Sequence, residues 1–284
     1  LSISKNILKV RAVNSGIITP NKGINFPGVD LNIPSITDKD KKNIKLGLKL
    51  SVDWFALSFV RSKKDFDAFT SIYNKNQYIP VIAKVEKPEA IINLDQIIKS
   101  FDGILIARGD LGVEMSLSKL PVIQKNIIKK CRIEQKPVII ATQMLESMIT
   151  SSIPTRAEVN DVANAVYEEV DAVMLSGETA IGDYPVEAID IMNKIILNIE
   201  KEVNSLDSRE DRSKISEDNR TAIGHAVKII SKNLKVDAIV VMTESGSTAR
   251  IISQYRIKPN IFALTPNLEV CNRMSLYWGI VPIK

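Results

Sequence analysis

The stretch IPVIAKVEKPEAIINLDQIIKSFDGILIARGDLG, residues 79–112, contains a complete strand–helix–strand unit. Ile79–Val85 is a short apolar run, Glu89–Phe101 has helical character, and Gly103–Ala107 is a second apolar run. Short apolar runs separated by a helix are typical of parallel strands that are buried on both faces. This stretch therefore predicts an α/β fold with a parallel sheet.

The same alternation continues on both sides of this unit. We predict five strands with a helix between each neighbouring pair, which is typical of a parallel sheet covered by helices. A (β/α)₈ barrel or an open doubly wound sheet could produce this pattern. No G-x-G-x-x-G fingerprint follows a strand, so the sequence favours a TIM-type barrel. The predicted strands are Trp54–Phe59, Ile79–Val85, Gly103–Ala107, Val138–Ala141 and Ala172–Leu175.

Two of the predicted helices begin at recognisable caps. Thr37 and Asp40 form a cap-like start, and Thr155 and Glu158 have the spacing of a capping box. The other helices are predicted from apolar residues that repeat at helical intervals. They cover Lys63–Tyr73, Glu89–Phe101, Pro121–Glu134 and about Val186 to Val203.

The regions on either side of the predicted barrel differ from it. Residues Ile3–Phe26 are β-rich with two turn signals, and Asn204–Asp218 form a polar linker. A smaller α/β unit follows and stops before a complete sheet could form. We therefore expect three parts: residues 1–27 from a small β cap domain, 28–204 from the barrel, and 205–284 from a truncated α/β domain. The smaller unit contains the predicted segments Ala222–Leu234, Ala238–Met242, Thr248–Tyr255, Ile261–Leu264 and Leu268–Tyr277.

Composition and charge exclude several functional classes. The net charge is +5, but lysines alternate with acidic residues and form no basic block, so we expect no nucleic-acid partner. No apolar run approaches the ~20 residues of a membrane span, and we expect no membrane partner and no signal peptide. Cys131 and Cys271 lack metal-ligand spacing and indicate buried thiols in a reducing compartment. The chain begins and ends inside apparent structure, which suggests a fragment.

The active groups of a barrel lie at the carboxyl ends of its strands. Lys84 and Glu86 are two residues apart on one strand, so their charged groups are expected to point the same way. Glu86 and Asp110, at adjacent strand ends, are hard oxygen ligands that suit Mg²⁺. The backbone N–H groups of Gly109 and Asp110 open a turn into a helix and could bind a carboxylate or a phosphate.

Each of these residues also has an ordinary interpretation when it is taken alone. A lysine or glutamate at a strand end is commonly a solvated rim residue or half of an ion pair, and Asp-Leu-Gly is a common turn. Arg108 is interpreted as a structural charge that holds loops together. Thr142 and Ser176 add neutral hydroxyls at the next two strand ends. The coincidence of metal ligands, a lysine and an anion-binding turn on neighbouring strands favours an active site.

Five segments resemble, in order, the successive signatures of the pyruvate kinase family. The resemblance covers nearly the whole chain and implies the fourth to eighth strands of a (β/α)₈ barrel plus the start of the C-terminal domain. Lys22–Gly28 is similar to the family's return from its cap domain, and Tyr277–Pro282 to part of its C-terminal domain. The five segments are Lys84–Glu86, Ala107–Gly112, Ala141–Met148, Pro154–Glu158 and Leu175–Ala180.

The resemblance implies a role for each matching residue. Glu86 and Asp110 match the ligands of Mg²⁺ or Mn²⁺, and Lys84 matches the lysine that contacts the transferring phosphoryl group and stabilises the enolate. The amides of Gly109 and Asp110 match those that bind the substrate carboxylate, and Thr142 matches a hydroxyl close to it.

The remaining implied roles concern proton transfer and a monovalent cation. Ser176 and Glu178 match the region of a water-linked proton path to the enolate carbon. Ser58 lies near the family's monovalent-cation site, so K⁺ is a candidate cofactor.

The activity implied by the resemblance is phosphoryl transfer from phosphoenolpyruvate to ADP, giving pyruvate and ATP, in a cytoplasmic or plastid homotetramer. Two alternatives stay open. A magnesium-dependent carbon–carbon lyase acting on pyruvate-like enolates would use a similar carboxylate pair, and a non-catalytic relative could serve as an assembly subunit.

A second candidate site lies in the smaller α/β unit. Thr243-Glu244-Ser245-Gly246-Ser247-Thr248 follows a predicted strand and leads into a helix, an arrangement that can hold a phosphate. It resembles the family's loop for phosphorylated effectors, and the charge of Glu244 favours a monophosphate. The alternative is an ordinary helix cap by Ser245 or Ser247.

Overall fold

A computed structural model describes residues 2–4, 7–18, 20, 24, 26, 34–73, 78–205 and 219–284. The chain divides into two compact units, Leu1–Asp30 and Leu31–Lys284. In the first unit, β1 (Ser2–Ser4) and β2 (Ile7–Lys9) form an antiparallel hairpin. Residues 10–18 form no strand, so the predicted β-rich region is wrong over these residues; most of residues 19–26 lie outside the described ones. Most of Lys22–Gly28 lies outside the described residues.

The centre of the second unit is a five-stranded sheet in which all neighbouring strands are parallel. The strands are paired in chain order, so each strand lies beside the next one along the chain, as in one sector of a barrel. This confirms the predicted partial barrel. Its strands are β3 (Phe55–Leu57), β4 (Val81–Val85), β5 (Gly103–Ala107), β6 (Val138–Ala141) and β7 (Ala172–Met174).

Side chains on the two faces of this sheet belong to different apolar clusters. Val81, Ala83 and Val85 lie in the large core beneath the helices. Ile82 belongs to a smaller cluster on the opposite face, together with Leu105 from β5. Because both faces are covered at the three central strands, β4, β5 and β6 are almost fully buried and lack the alternation of a half-exposed sheet.

Helices follow the strands and cover the large core. The boxes at Thr37–Asp40 and Thr155–Glu158 are confirmed, with reciprocal hydrogen bonds in each. The predicted helix Glu89–Phe101 is instead two helices that meet at Asn93, whose side-chain amide donates to the Arg61 carbonyl at 2.9 Å. The helices are α1 (Asp38–Lys49), α2 (Lys63–Thr70), α3 (Pro88–Ile92), α4 (Leu94–Ser100), α5 (Arg108–Glu114), α6 (Leu120–Ile133), α7 (Arg156–Tyr167), α8 (Gly177–Ala180) and α9 (Pro185–Ser205).

The last part of the chain forms a three-stranded parallel sheet in the order β8, β9, β10. The sequence did not predict β10, a short edge strand that contains Pro282, a residue that weakens a strand signal. Residues 206–218 of the predicted linker lie outside the described residues. The elements are α10 (Asn219–Asn233), β8 (Ala238–Met242), α11 (Ser247–Ser253), β9 (Asn260–Leu264), α12 (Leu268–Met274) and β10 (Ile280–Ile283).

A buried ion pair joins the two sheets. Asp171, just before β7, lies 3.1 Å from the Arg256 guanidinium, and their side chains are 1% and 2% exposed. Asp171 also accepts hydrogen bonds from the Val138 amide at 2.9 Å and the Trp278 amide at 3.4 Å. The Arg256 guanidinium lies 5.2 Å from the centre of the Trp278 ring. One carboxylate therefore connects β6 and β7 to the C-terminal sheet.

Candidate active site

Lys84 and Glu86 form the centre of the candidate site at the carboxyl end of β4. The Lys84 ammonium lies 2.7 Å from one oxygen of Glu86, which confirms that the two side chains point the same way. Lys84 is 26% exposed, whereas Glu86 is 1% exposed. The ammonium also donates to the Ser58 hydroxyl at 3.0 Å. The second Glu86 oxygen accepts from the Phe59 amide at 2.7 Å, so the loop after β3 is tied to this carboxylate.

Gly109 and Thr142 form a second contact, at the ends of β5 and β6. The Gly109 amide donates to the Thr142 hydroxyl oxygen at 2.8 Å, and that hydroxyl donates to the Ala141 carbonyl at 2.6 Å. Thr142 and Gln143 both have left-handed backbones, with φ of 70° and 54°. The turn therefore points the Thr142 hydroxyl at the start of α5, where an incoming anion would compete for the same amide.

Arg108 holds the loops after β5 and β6 together, as its structural interpretation predicts. Its guanidinium forms an ion pair with Asp161 of α7 at 2.6 Å and donates to the Thr142 carbonyl at 2.9 Å. Because Arg108 is the first residue of α5, these contacts fix the beginning of the helix that carries Gly109 and Asp110.

Glu178 is buried at the carboxyl end of β7, with 3% of its surface exposed. One oxygen accepts from the Ser176 amide at 2.8 Å, and the other accepts from the Leu145 amide at 3.2 Å. The carboxylate therefore connects the main chain after β7 to the main chain after β6. It holds Ser176 beside the loop that carries Thr142.

Glu158 performs a similar task for the loop after β6. Its carboxylate accepts from the Ser147 amide and hydroxyl at 2.7 and 2.5 Å, and from the Thr155 amide at 2.8 Å. Burial raises the pKa of Glu158, but the hydrogen bonds from Ser147 and Thr155 outweigh it and lower the pKa below its usual value. The charged form of Glu158 is therefore the form that the fold stabilises.

Two carboxylates at this edge of the sheet, those of Glu86 and Asp110, have the oxygen ligands that Mg²⁺ prefers. Val85 on β4 is paired with Ile106 on β5, so Glu86 and Asp110 follow adjacent strands. Among the described residues, the half-buried Asp110 carboxylate has no hydrogen-bond or ion-pair partner. The same residues contain no cluster of three or more His, Cys, Asp or Glu side chains that could hold a metal. Two carboxylates with substrate oxygens are the ligand set that Mg²⁺ commonly takes.

Two charged residues near this site were not singled out from the sequence. Lys87 follows Glu86 directly and forms an ion pair with Glu114 at the end of α5. The two residues are 27 positions apart in the chain, and nothing in the local pattern of either one indicates the other. The one signal that the sequence offered was the position of Lys87, a basic residue directly after the proposed metal ligand Glu86.

The candidate effector loop has a different cap from the one considered as its alternative. The N-cap of α11 is Gly246, with φ of 78°, so capping by Ser245 or Ser247 is wrong. The Gly246 amide donates to the Thr243 hydroxyl at 3.0 Å. The Ser245 and Ser247 hydroxyls lie 3.2 Å apart, and Thr248 is exposed in the first turn. The loop borders an open cleft of about 550 Å³ that Thr243, Glu244 and Thr265 help to line.

Two further observations concern membrane-spanning helices and the two cysteines. Among the helices that the structure describes, none combines the length and apolar character that a membrane crossing requires. Cys131 is buried and Cys271 is half-buried, and both are free thiols. Burial raises the pKa of the Cys131 thiol well above its usual value, which agrees with a structural thiol.

Two protein-family models match the chain. The model described as pyruvate kinase, barrel domain, matches residues 1–189. The model described as pyruvate kinase, alpha/beta domain, matches residues 221–284. Together they match well over half of the chain.

The chain is also similar to curated proteins named pyruvate kinase. It is 46% identical to "Pyruvate kinase 2" of Synechocystis sp., over 97% of this chain and 46% of that protein. It is 45% identical to "Pyruvate kinase" of Geobacillus stearothermophilus, over 94% of this chain and 46% of that protein. It is 41% identical to "Pyruvate kinase" of Clostridium acetobutylicum, over 95% of this chain and 58% of that protein. The chain thus spans about half the length of the relatives it matches.

Proposed function

The chain belongs to the pyruvate kinase family, and we propose that the whole protein catalyses magnesium-dependent phosphoryl transfer from phosphoenolpyruvate to ADP, giving pyruvate and ATP. The observation that carries the proposal is the arrangement at the ends of β4 and β5. A buried Glu86 is paired with the Lys84 ammonium at 2.7 Å, and Asp110 follows the neighbouring strand with a carboxylate that lacks a partner among the described residues. Phosphoryl transfer needs positioning and charge neutralisation more than covalent chemistry.

The proposed roles follow from the charges of these side chains. Glu86 and Asp110 hold Mg²⁺ or Mn²⁺, which when bound neutralises negative charge on the transferring phosphoryl group. Lys84 places a compact positive charge beside the same group and then beside the enolate oxygen. Because Glu86 already orders the Lys84 ammonium, its charge is oriented before substrate binds.

The neighbouring strand ends supply the rest of the proposed site. The amides of Gly109 and Asp110 bind the substrate carboxylate, and its oxygen shares or replaces the contact that Thr142 makes with Gly109 at 2.8 Å. Ser176 and Glu178 belong to the path that brings a proton to the enolate carbon. The two backbone hydrogen bonds of Glu178 support a role in holding Ser176 in that path.

Further proposals concern cofactors, assembly and organisation. K⁺ is a candidate near Ser58, whose hydroxyl oxygen already contacts the ammonium of Lys84 at 3.0 Å. We propose a homotetramer, and a cytoplasmic location with a plastid as the alternative; the free thiols agree with a reducing compartment. The proposed parts are residues 1–27 (cap), 28–204 (barrel) and 205–284 (α/β domain).

Regulation by a phosphorylated metabolite is proposed for the loop Thr243–Thr248. The N-cap Gly246 leaves the first-turn amides of α11 without a side-chain cap, and the loop adds hydroxyls from Thr243 and Ser247. The carboxylate of Glu244 lines the adjoining cleft and would repel a multiply charged ligand, so a monophosphate is the favoured class.

The test is ADP-dependent turnover of phosphoenolpyruvate by the whole protein, with Glu86→Gln and Asp110→Asn as variants. We expect activity in the parent, and weaker binding of Mn²⁺ with loss of activity in both variants. A parent that cleaves a carbon–carbon bond and ignores ADP would favour the lyase. A parent without either activity would favour a non-catalytic relative, and unchanged Mn²⁺ affinity in the variants would remove the metal assignment.

A further inference from the structure

The ion pair between Lys87 and Glu114 connects two neighbouring loops of the proposed site. Lys87 is 21% exposed and Glu114 is 4% exposed, so the pair is largely shielded from water. Lys87 lies directly after Glu86, and Glu114 is the last residue of α5. The Lys87 ammonium also lies 5.9 Å from the centre of the Phe59 ring, whose own backbone amide donates to Glu86. Lys87 therefore contacts the loop after β3 and the helix after β5.

The short helix α5 depends on contacts at its two ends. It has seven residues, far fewer than an isolated helix needs, and Leu111 is its only buried residue. Arg108 fixes the first residue through Asp161 and the Thr142 carbonyl. At the other end, the Glu114 carboxylate faces the unfavourable negative end of the helix dipole, so it needs a nearby cation. Lys87 is that cation.

We propose that Lys87 is a positioning residue that sets the distance between the two proposed metal ligands. Through Glu114 it holds α5, and with it Asp110 and the Gly109 amide, at a fixed place relative to Glu86, its neighbour in the chain. The ammonium is committed to Glu114 and the Phe59 ring, so Lys87 acts through these groups and not on substrate. This inference rests on the proposed function, because it assigns Glu86 and Asp110 to one metal ion.

The test uses the whole protein with the variants Lys87→Met, Lys87→Arg and Glu114→Gln. The matched control is Lys130→Met, which removes an ion pair between α6 and α4 on the helical side of the sheet. Three experiments are done. Electron spin resonance gives the Mn²⁺ dissociation constant without substrate, steady-state kinetics give kcat and KM for phosphoenolpyruvate, and hydrogen exchange is followed at residues 108–114.

We expect Lys87→Met to weaken Mn²⁺ binding by about tenfold, the usual cost of losing a group that orients a metal ligand. Exchange in α5 should accelerate and kcat/KM should fall. Lys87→Arg keeps the charge and should recover most of the Mn²⁺ affinity. Glu114→Gln keeps the size of the side chain but also removes the unfavourable charge at the end of α5, so it should weaken Mn²⁺ binding in the same direction as Lys87→Met and by a smaller factor. A variant that combines Lys87→Met with Glu114→Gln should lose no more Mn²⁺ affinity than Lys87→Met alone, because both changes remove the same contact. Lys130→Met should leave Mn²⁺ affinity and α5 exchange unchanged.

Parent-like Mn²⁺ affinity and α5 exchange in Lys87→Met would overturn the proposal, as would an equal loss in Lys130→Met. If Lys87→Met fails to fold, the comparison of Glu114→Gln with the parent and the control gives the same decision. If the parent binds Mn²⁺ and the variants respond as expected, but the parent does not turn over phosphoenolpyruvate, the positioning role stands and the proposed activity fails.

Discussion

Replacing Lys84 by methionine tests whether its charge acts in catalysis or only stabilises the fold. The ammonium lies 2.7 Å from a carboxylate that is 1% exposed. With an effective dielectric constant of about 20, Coulomb's law gives an attraction of about 6 kcal/mol at that distance, before desolvation is counted. Removing one partner of such a pair costs about 3–5 kcal/mol, because the other charge remains buried. Methionine keeps the unbranched side chain except for its terminal nitrogen, so the change is mainly one of charge.

The expected result has one catalytic and one metal-dependent component. In the whole protein, kcat should fall about 10³-fold, as when one preorganised charge donor is lost, and KM should change much less. The variant should also have a lower Tm in EDTA. Adding Mg²⁺ should raise the Tm of the variant by more than it raises the Tm of the parent, because the bound ion neutralises the Glu86 carboxylate in place of Lys84. Mn²⁺ should bind at least as tightly as in the parent, since the competing ammonium is gone.

Steady-state kinetics, spin-resonance titration with Mn²⁺ and thermal unfolding with and without Mg²⁺ measure these effects. Lys84→Arg is the control that keeps the charge but changes its shape. A near-normal kcat would mean that Lys84 is only structural. A loss of Tm that ignores Mg²⁺ would show that Glu86 does not hold the ion.

Three other predictions concern pH, assembly and regulation. Glu158→Gln should lower the free energy of unfolding by about 1 kcal/mol at pH 7. In the folded protein the pKa of Glu158 lies below its ordinary value of 4.5, so the charged carboxylate stabilises the fold fully above pH 4.5 and this stabilisation is lost as pH falls through the folded pKa. Denaturant titrations in which the difference in unfolding free energy between parent and variant stays constant down to pH 3 would contradict this. Residues 1–284 expressed alone should be inactive and should self-associate, because β3 and β7 are unpaired edges of the described sheet. A chain that sediments as a monomer and unfolds cooperatively would refute this. Thr248→Glu should abolish any effect of a sugar or nucleotide monophosphate on the phosphoenolpyruvate dependence of the whole protein's activity. If the variant responds as the parent does, the loop only begins helix α11 and binds no effector.

Features set by local pattern were predictable from the sequence. The strand period of two placed Lys84 and Glu86 on one side, and the structure confirms it with an ion pair. The box at Thr155 and Glu158 follows from a spacing of three residues, which is visible without any tertiary information. The chain order of the five strands follows from the repeated short βα connections.

Features set by distant contacts were not predictable in the same way. The helical pattern continues through Asn93, but one helix ends there, at a residue whose side chain is hydrogen-bonded to Arg61, 32 residues earlier. Glu178 is an ordinary acidic residue in sequence, and only the fold brings its carboxylate to the amide of Leu145. The partnership of Lys87 and Glu114 likewise depends on the fold, which brings the end of α5 to the residue that follows Glu86. Such pairs need the register of the sheet, which one sequence does not supply.

The buried pair of Asp171 and Arg256 restricts how this protein can change over generations. A single substitution that removes either charge leaves the other one buried without its counter-ion, at a cost of about 3–5 kcal/mol, a large part of the stability of an ordinary domain. An apolar pair of similar volume could be close to neutral, but reaching it requires two changes with a damaged intermediate. We expect the two positions to vary together among relatives, so that the history of the barrel and that of the C-terminal sheet are linked at this point.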